Sequence, residues 1–209
     1  MADQPHKHPP TSALPSDRFK RVIERIDQLN REDPNTETVE RARVSKELFY
    51  SQQLTAWVLR LHPGASEVLQ IAARGQHIRR WTMPRTSYEP GRRGYLRWRE
   101  RLKAFHIETV SGLMRDVGYP EEMIQRVQAI MGKRHLQDDP ESQTLEDALC
   151  LVFLETQLEE LMQKTSPETM REILRKTWKK MGEAGRTAAL KLRYTPEART
   201  LIEQVLSGG

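Results

Sequence analysis

The stretch Thr144-Leu145-Glu146-Asp147-Ala148-Leu149-Cys150-Leu151-Val152-Phe153-Leu154 decides the fold. It is apolar nearly all round, which is the pattern of a helix placed inside a core. Two adjacent carboxylates interrupt it, about 100° apart on the helical wheel. They cannot easily both reach solvent while their neighbours stay buried. A buried carboxylate needs a cation, a proton or a metal. Glu146 and Asp147 are therefore expected to act in metal ligation or as general bases. An ion pair with Arg or Lys is the plain structural reading of the same pattern. Cys150 lies in this apolar run and reads as a buried small hydrophobe.

Helical spacing extends outward from this segment in both directions. Ser16 reads as an N-cap, followed by Phe19, Val22, Ile23, Ile26 and Leu29 on one face. A helix is expected from there to Asn30, and another from Val44 to Leu61. A third, capped by Ser66, is expected to run through Trp81. A long fourth covers Arg92 to Val117, with Gly118 as its C-cap. Pro120 starts a fifth, reaching Lys133. Glu141 to Lys164 reads as a sixth. Ser166-Pro167 opens a seventh to Leu192, with a possible break at Gly182 or Gly185, and Pro196 starts a short eighth. No stretch alternates as a strand would, and no fixed-period repeat is present. The expectation is an all-α chain: one helical domain over residues 16–209, with about seven to eight helices. Residues 1–15, with four prolines and His6 and His8, read as a disordered arm.

Composition bounds the function. The 209 residues suffice for one sizeable core. Charged residues make up 30%, of mixed sign, which fits long solvated helix faces rather than global disorder. The net charge of +5 favours anionic partners such as phosphorylated metabolites, nucleotides or RNA. The single cysteine fits a reducing compartment. No run approaches the roughly 18 apolar residues of a membrane span, and no apolar signal core opens the chain, so a cytoplasmic location is expected. Phosphate-binding loops, dinucleotide fingerprints, HExxH and paired CxxC motifs are absent from the sequence.

Two histidines sit where they could join the carboxylates. His77 follows the apolar run Ile71-Ala72-Ala73, and helical spacing places it near Arg74 and Arg80. His106 is spaced to face inward with Leu102 and Val110. A neutral imidazole at either place could bind metal or move protons. His135, after Lys133 and Arg134, reads as part of a basic loop. The Arg- and aromatic-rich stretch from Arg79 to Arg99 suits an anion-binding rim, because guanidinium groups clamp phosphate and aromatics stack on bases. Arg79, Arg80, Arg85, Tyr88 and Lys133 are the expected substrate-binding residues. The cluster Arg175 to Lys180 could complete a basic wall.

Six segments resemble the domain-of-unknown-function family 4202: SKELFY (Ser45–Tyr50), AARGQHIRRW (Ala72–Trp81), GYLRWR (Gly94–Arg99), QTLED (Gln143–Asp147), CLVFLE (Cys150–Glu155) and KTWKKM (Lys176–Met181). A more distant likeness is to the HD-type metal-dependent phosphohydrolase superfamily, an all-helical fold. LQIAARGQHI (Leu69–Ile78) resembles its apolar helix ending in a His–Asp pair. Val127 to His135, then Asp138 to Pro140, then Leu145 to Asp147, resembles its later helices. The order departs from that superfamily in two ways. Gln76-His77 replaces His–Asp, and no histidine stands near Tyr50 to Gln53.

The resemblance implies a divalent metal ion (Mn, Fe, Co or Zn) on an altered ligand set of His77, His106 and Asp147, with Glu146 nearby. It also implies hydrolysis of a phosphate ester of a small molecule or nucleotide. An iron-dependent oxygenase on the same frame and a non-catalytic RNA- or nucleotide-binding module are the other readings. Oligomeric state is not legible in the sequence.

Overall fold

Ser16 starts the first helix as its spacing predicts, its Oγ accepting from the Phe19 N–H at 3.2 Å. The computed structural model describes residues 16–39, 41–133 and 138–207. The expected N-terminal arm, with His6 and His8, and His135 lie outside the described residues. Within them the order is α1 (Asp17–Arg31), β1 (Thr36–Val39), β2 (Ala42–Ser45), α2 (Lys46–Leu61), α3 (Glu67–Gly75), α4 (Gly91–Asp116), α5 (Glu121–Met131), α6 (Pro140–Thr156), α7 (Leu158–Lys164), α8 (Pro167–Lys180), α9 (Glu183–Leu190) and α10 (Pro196–Ser207). Two single turns of 3₁₀ helix, Arg80–Thr82 and Arg85–Ser87, lie between α3 and α4.

The all-helical class stands, with a finer division than the spacing predicts. The expected sixth helix divides at Gln157 into α6 and α7. The seventh breaks at Gly182, one of the two glycines where a break was expected, into α8 and α9. No strands were expected, yet β1 and β2 form an antiparallel hairpin with Thr36 opposite Ser45 and Val39 opposite Ala42. Each strand has only four residues and its side chains are half-buried or exposed, so hydrophobic alternation is faint. Arg41, just before β2, takes φ +73°, and the sequence lacks the Asn-Gly signal that marks tight hairpins.

The largest correction concerns the third helix. It ends at Gly75, so His77 lies beyond it rather than on its surface. Two contacts fix the chain where the helix stops. A Cβ at Gly75 would meet Val110 Cγ2 at 2.3 Å, so only glycine lets α3 approach α4 this closely. The chain then turns through Arg79 at φ +52°, whose N–H donates to Oδ1 of the fully buried Asn30 at 3.1 Å.

The core forms where α2 packs against α6 and α3 sits against α1, α2 and α5. Leu54, Leu69, Ile71, Ile130, Leu145 and Leu151 are among its fully buried side chains. Arg74 on α3 forks onto Asp27 of α1 at 2.6 and 2.7 Å, a nearly buried bidentate pair that fixes this end of α3. Among the described residues no helix is long and apolar enough to cross a membrane.

Candidate functional site

Glu146 and Asp147 are both 3% exposed, as a carboxylate pair inside an apolar helix requires. Their surroundings differ completely. Asp147 faces the start of α9. Its Oδ1 accepts from the Gly182 N–H at 2.7 Å and from Gln143 Nε2 at 2.8 Å, and its Oδ2 accepts from the Gly185 N–H at 3.2 Å. A carboxylate at a helix N-terminus satisfies free amides and meets the positive end of the helix dipole. Burial still pushes its carboxyl upward from the ordinary range, against the lowering by these amides. The fit is close: a Cβ at Gly185 would lie 2.6 Å from Asp147 Cγ.

Glu146 faces the other way, into a cavity of about 490 Å³. Its carboxylate pairs with Lys133 at the end of α5, and its Oε1 lies 3.8 Å from Lys180 Nζ at the end of α8. Lys133 takes φ +55° just past α5. Arg126 of α5 forks onto Asp139, the N-cap of α6, at 2.7 and 2.8 Å and reaches Glu141 at 2.9 Å. This clamp holds the end of α5 beside the start of α6, and so Lys133 beside Glu146. The fork also holds the Asp139 carboxyl down at about 2.

Both histidines line the same cavity. His106 on α4 is 4% exposed, and its Nδ1 lies 2.8 Å from the Ile78 carbonyl. A carbonyl can only accept, so Nδ1 carries the proton and Nε2 is the basic nitrogen. Nε2 is buried and has no hydrogen-bond partner among the described residues, and the same holds for Gln76 Oε1 on the cavity wall. Burial first, then the neighbouring His77, drives His106 down to about 3, so its ring is neutral at any ordinary pH.

His77 stacks on Tyr50 with ring centroids 4.2 Å apart and planes within 9°. Its Nδ1 lies 3.6 Å from Glu47 Oε2. Burial lowers its pKa, and Glu47 only partly opposes this. His77 is therefore a neutral imidazole beside a carboxylate, able to accept a proton. Tyr50 is pushed upward by burial and by Glu47, so its phenol stays protonated.

Five cationic side chains line the cavity, Arg80, Arg99, Lys103, Lys133 and Lys180, against the carboxylates of Glu100 and Glu146. Arg80 is held on one side by Glu47, 4.0 Å from Nε, and on the other by the Trp98 ring, 5.1 Å from the guanidinium carbon. Trp98 is itself fixed by its Nε1–H donating to the Met83 carbonyl at 2.9 Å. Cys150 lines the cavity as well, but burial raises its thiol to about 12 and makes it a poor nucleophile.

Of the expected substrate-binding residues, Arg80 and Lys133 reach the cavity and three do not. Arg85 spends its guanidinium on the carbonyls of Tyr88, Glu89 and Gly91 and so braces the entry to α4. Tyr88 belongs to that brace, and Arg79 belongs to the turn after α3. The metal set implied by the HD-type likeness is not assembled. His77 and His106 are neighbours, with ring centroids 6.1 Å apart, whereas Asp147 is committed to α9 and does not line the cavity. Among the described residues no group of three or more His, Cys, Asp or Glu is placed to hold a metal ion.

Glu47 and Tyr50 had no role assigned from the sequence. The signal was present: Glu47 shares a helical stripe with Ser51, Leu54 and Val58, all buried, and a charge on such a stripe is the same anomaly that marks Glu146. No curated protein and no solved structure matches the chain. The family described as Domain of unknown function (DUF4202) matches residues 20–202, which takes in α2, both histidines, the carboxylate pair and the basic end of α8, and the chain belongs to that family.

Proposed function

We propose that the protein binds a phosphorylated small molecule or nucleotide in this cavity and hydrolyses its phosphate ester there. One observation carries this reading: Arg80, Lys133 and Lys180 converge on the same cavity as the neutral imidazole of His77. Guanidinium and ammonium groups bind phosphoryl oxygens and neutralise the charge that builds on them during transfer. Glu146 pairs with the two lysines while leaving the wall net cationic.

His77 takes a proton from water as the water oxygen bonds to phosphorus, and Glu47 stabilises the imidazolium that forms. The ester oxygen leaves and receives that proton back, giving an alcohol and a phosphate. The chain's own residues carry the proton and the charge in this reading, and Asp147, committed to α9, takes no part. The test is ester cleavage, read as free phosphate or as the freed alcohol, across a panel of phosphorylated metabolites, nucleotides and dinucleotides, with chelator and with added Mn, Fe, Co or Zn. Cleavage that persists in chelator and is lost in His77→Ala is expected. No cleavage across the panel contradicts the reading.

A second reading, binding of RNA or a nucleotide without turnover, is favoured by the outer face of α4. Arg92, Arg93, Arg97 and Arg101 are exposed there. Tyr95 is 43% exposed with the Arg99 guanidinium 5.7 Å from its ring centroid. Salt-sensitive RNA binding lost in Arg93→Glu/Arg97→Glu, with no phosphate release, supports this second reading over the first.

A further inference from the structure

A second cavity, of about 480 Å³, adjoins the first at His77. Three residues, His77, Arg80 and Phe153, belong to the walls of both cavities. The two spaces therefore abut at the groups that the proposed chemistry uses. Each falls within the roughly 300–1,000 Å³ typical of ligand pockets. The second arm runs past Tyr50 and Gln157 toward Lys46 and Lys164.

We infer that the ligand is a two-part molecule, a phosphodiester of the dinucleotide class, with its link at Arg80 and His77 and one nucleoside in each arm. The inference rests on the phosphate site proposed above and names its substrate class. A terminal phosphate at Arg80 carries one substituent, fills one arm and leaves the other to water. A diester carries two substituents that diverge from a tetrahedral phosphorus, which is the arrangement two abutting cavities accept. Arg80 is pinned between Glu47 on the second arm and Trp98 on the first, so its guanidinium stays at the junction. Flat rings line both sides: Trp98 and Tyr95 in the first arm, and Tyr50, stacked on His77, in the second. Aromatic faces of this kind stack on bases without regard to sequence.

The test is calorimetric titration of the full-length protein with AMP and with the dinucleotide adenylyl-adenosine. The dinucleotide is expected to bind at least about tenfold more tightly than AMP. Gln157→Trp, which plugs the second arm from an exposed position, should remove that advantage and leave AMP affinity unchanged. Glu160→Trp, exposed on the same wall, should do the same by bulk, and thermal melting of both variants checks that they fold. Equal affinity of the two ligands for the wild type overturns the inference, as does an advantage that survives both substitutions. Absence of binding by either ligand has a different signature: it removes the phosphate site and the two-part ligand together.

Discussion

Glu146 and Asp147 are neighbours in sequence, equally buried, and carried by one helix, yet they stand in two different kinds of place. Asp147 is surrounded by donors the chain itself supplies, two of them backbone amides fixed by the start of α9. Glu146 is matched by two lysine side chains that also face a cavity. Burial and functional group are the same in both, and only the partner differs. A fixed backbone donor makes a joint of the fold. Partners that are themselves side chains, charged and open to a cavity make a site. The histidines divide along the same line, since His106 is anchored through Nδ1 to a carbonyl but leaves Nε2 without a partner.

The sharpest break in the comparison is at Asp147. Asp147→Ala leaves the amides of Gly182 and Gly185 without their acceptor. It should cost about 3 kcal/mol in urea denaturation, the range for orphaned buried donors beside a lost charge. AMP affinity of the folded fraction should not change. A large loss of affinity at full stability would place Asp147 in the site instead.

Gly75→Ala comes next. The added Cβ meets Val110 Cγ2, and overpacking of this kind costs roughly 2 kcal/mol. Val110→Ala in the same chain should recover most of that loss, and failure to do so in a double-mutant cycle would remove the contact as the cause.

The pH dependence separates the histidines from both carboxylates. His106 titrates near 3 in the folded chain and near its ordinary value when unfolded. Between about 6.5 and 3 the unfolded state binds the extra proton, so stability falls as pH is lowered through that window. His106→Gln should flatten the slope by up to about 1.4 kcal/mol per pH unit. An unchanged slope would show that His106 is not held neutral.

Glu146→Gln should have the smallest effect on stability, about 1 kcal/mol or less, because Lys133 and Lys180 are partly exposed and can be solvated. It frees both lysines from their carboxylate, so AMP affinity should rise a few-fold while the fold persists. A fall in affinity would mean that Glu146 positions the lysines more than it competes for them.

The sequence carried much of this contrast, but not its resolution. Helical spacing located the long fourth helix, the Ser16 and Ser66 caps and the burial of His106. It could not show that α3 stops at Gly75, because the turn beyond it is held by Asn30, distant in the chain. The anomaly of two charges in an apolar helix was legible in Glu146-Asp147. Which of them faced a cavity was not, because α9 and Lys180 arrive from segments more than thirty residues away. Arg85 was misleading for the same reason: its partners are backbone carbonyls, and these leave no trace in residue type. Glu47 was legible by the stripe rule, and its place beside His77 is what makes that imidazole a candidate base.

The central claim is that the lysines held by Glu146 form a phosphate site. Its most direct test is calorimetric titration of AMP into the wild type and into Lys133→Ala/Lys180→Ala. The wild type should bind with measurable heat, and the double variant should bind about a hundredfold more weakly. Equal binding by the two proteins, or none by the wild type, would contradict the account.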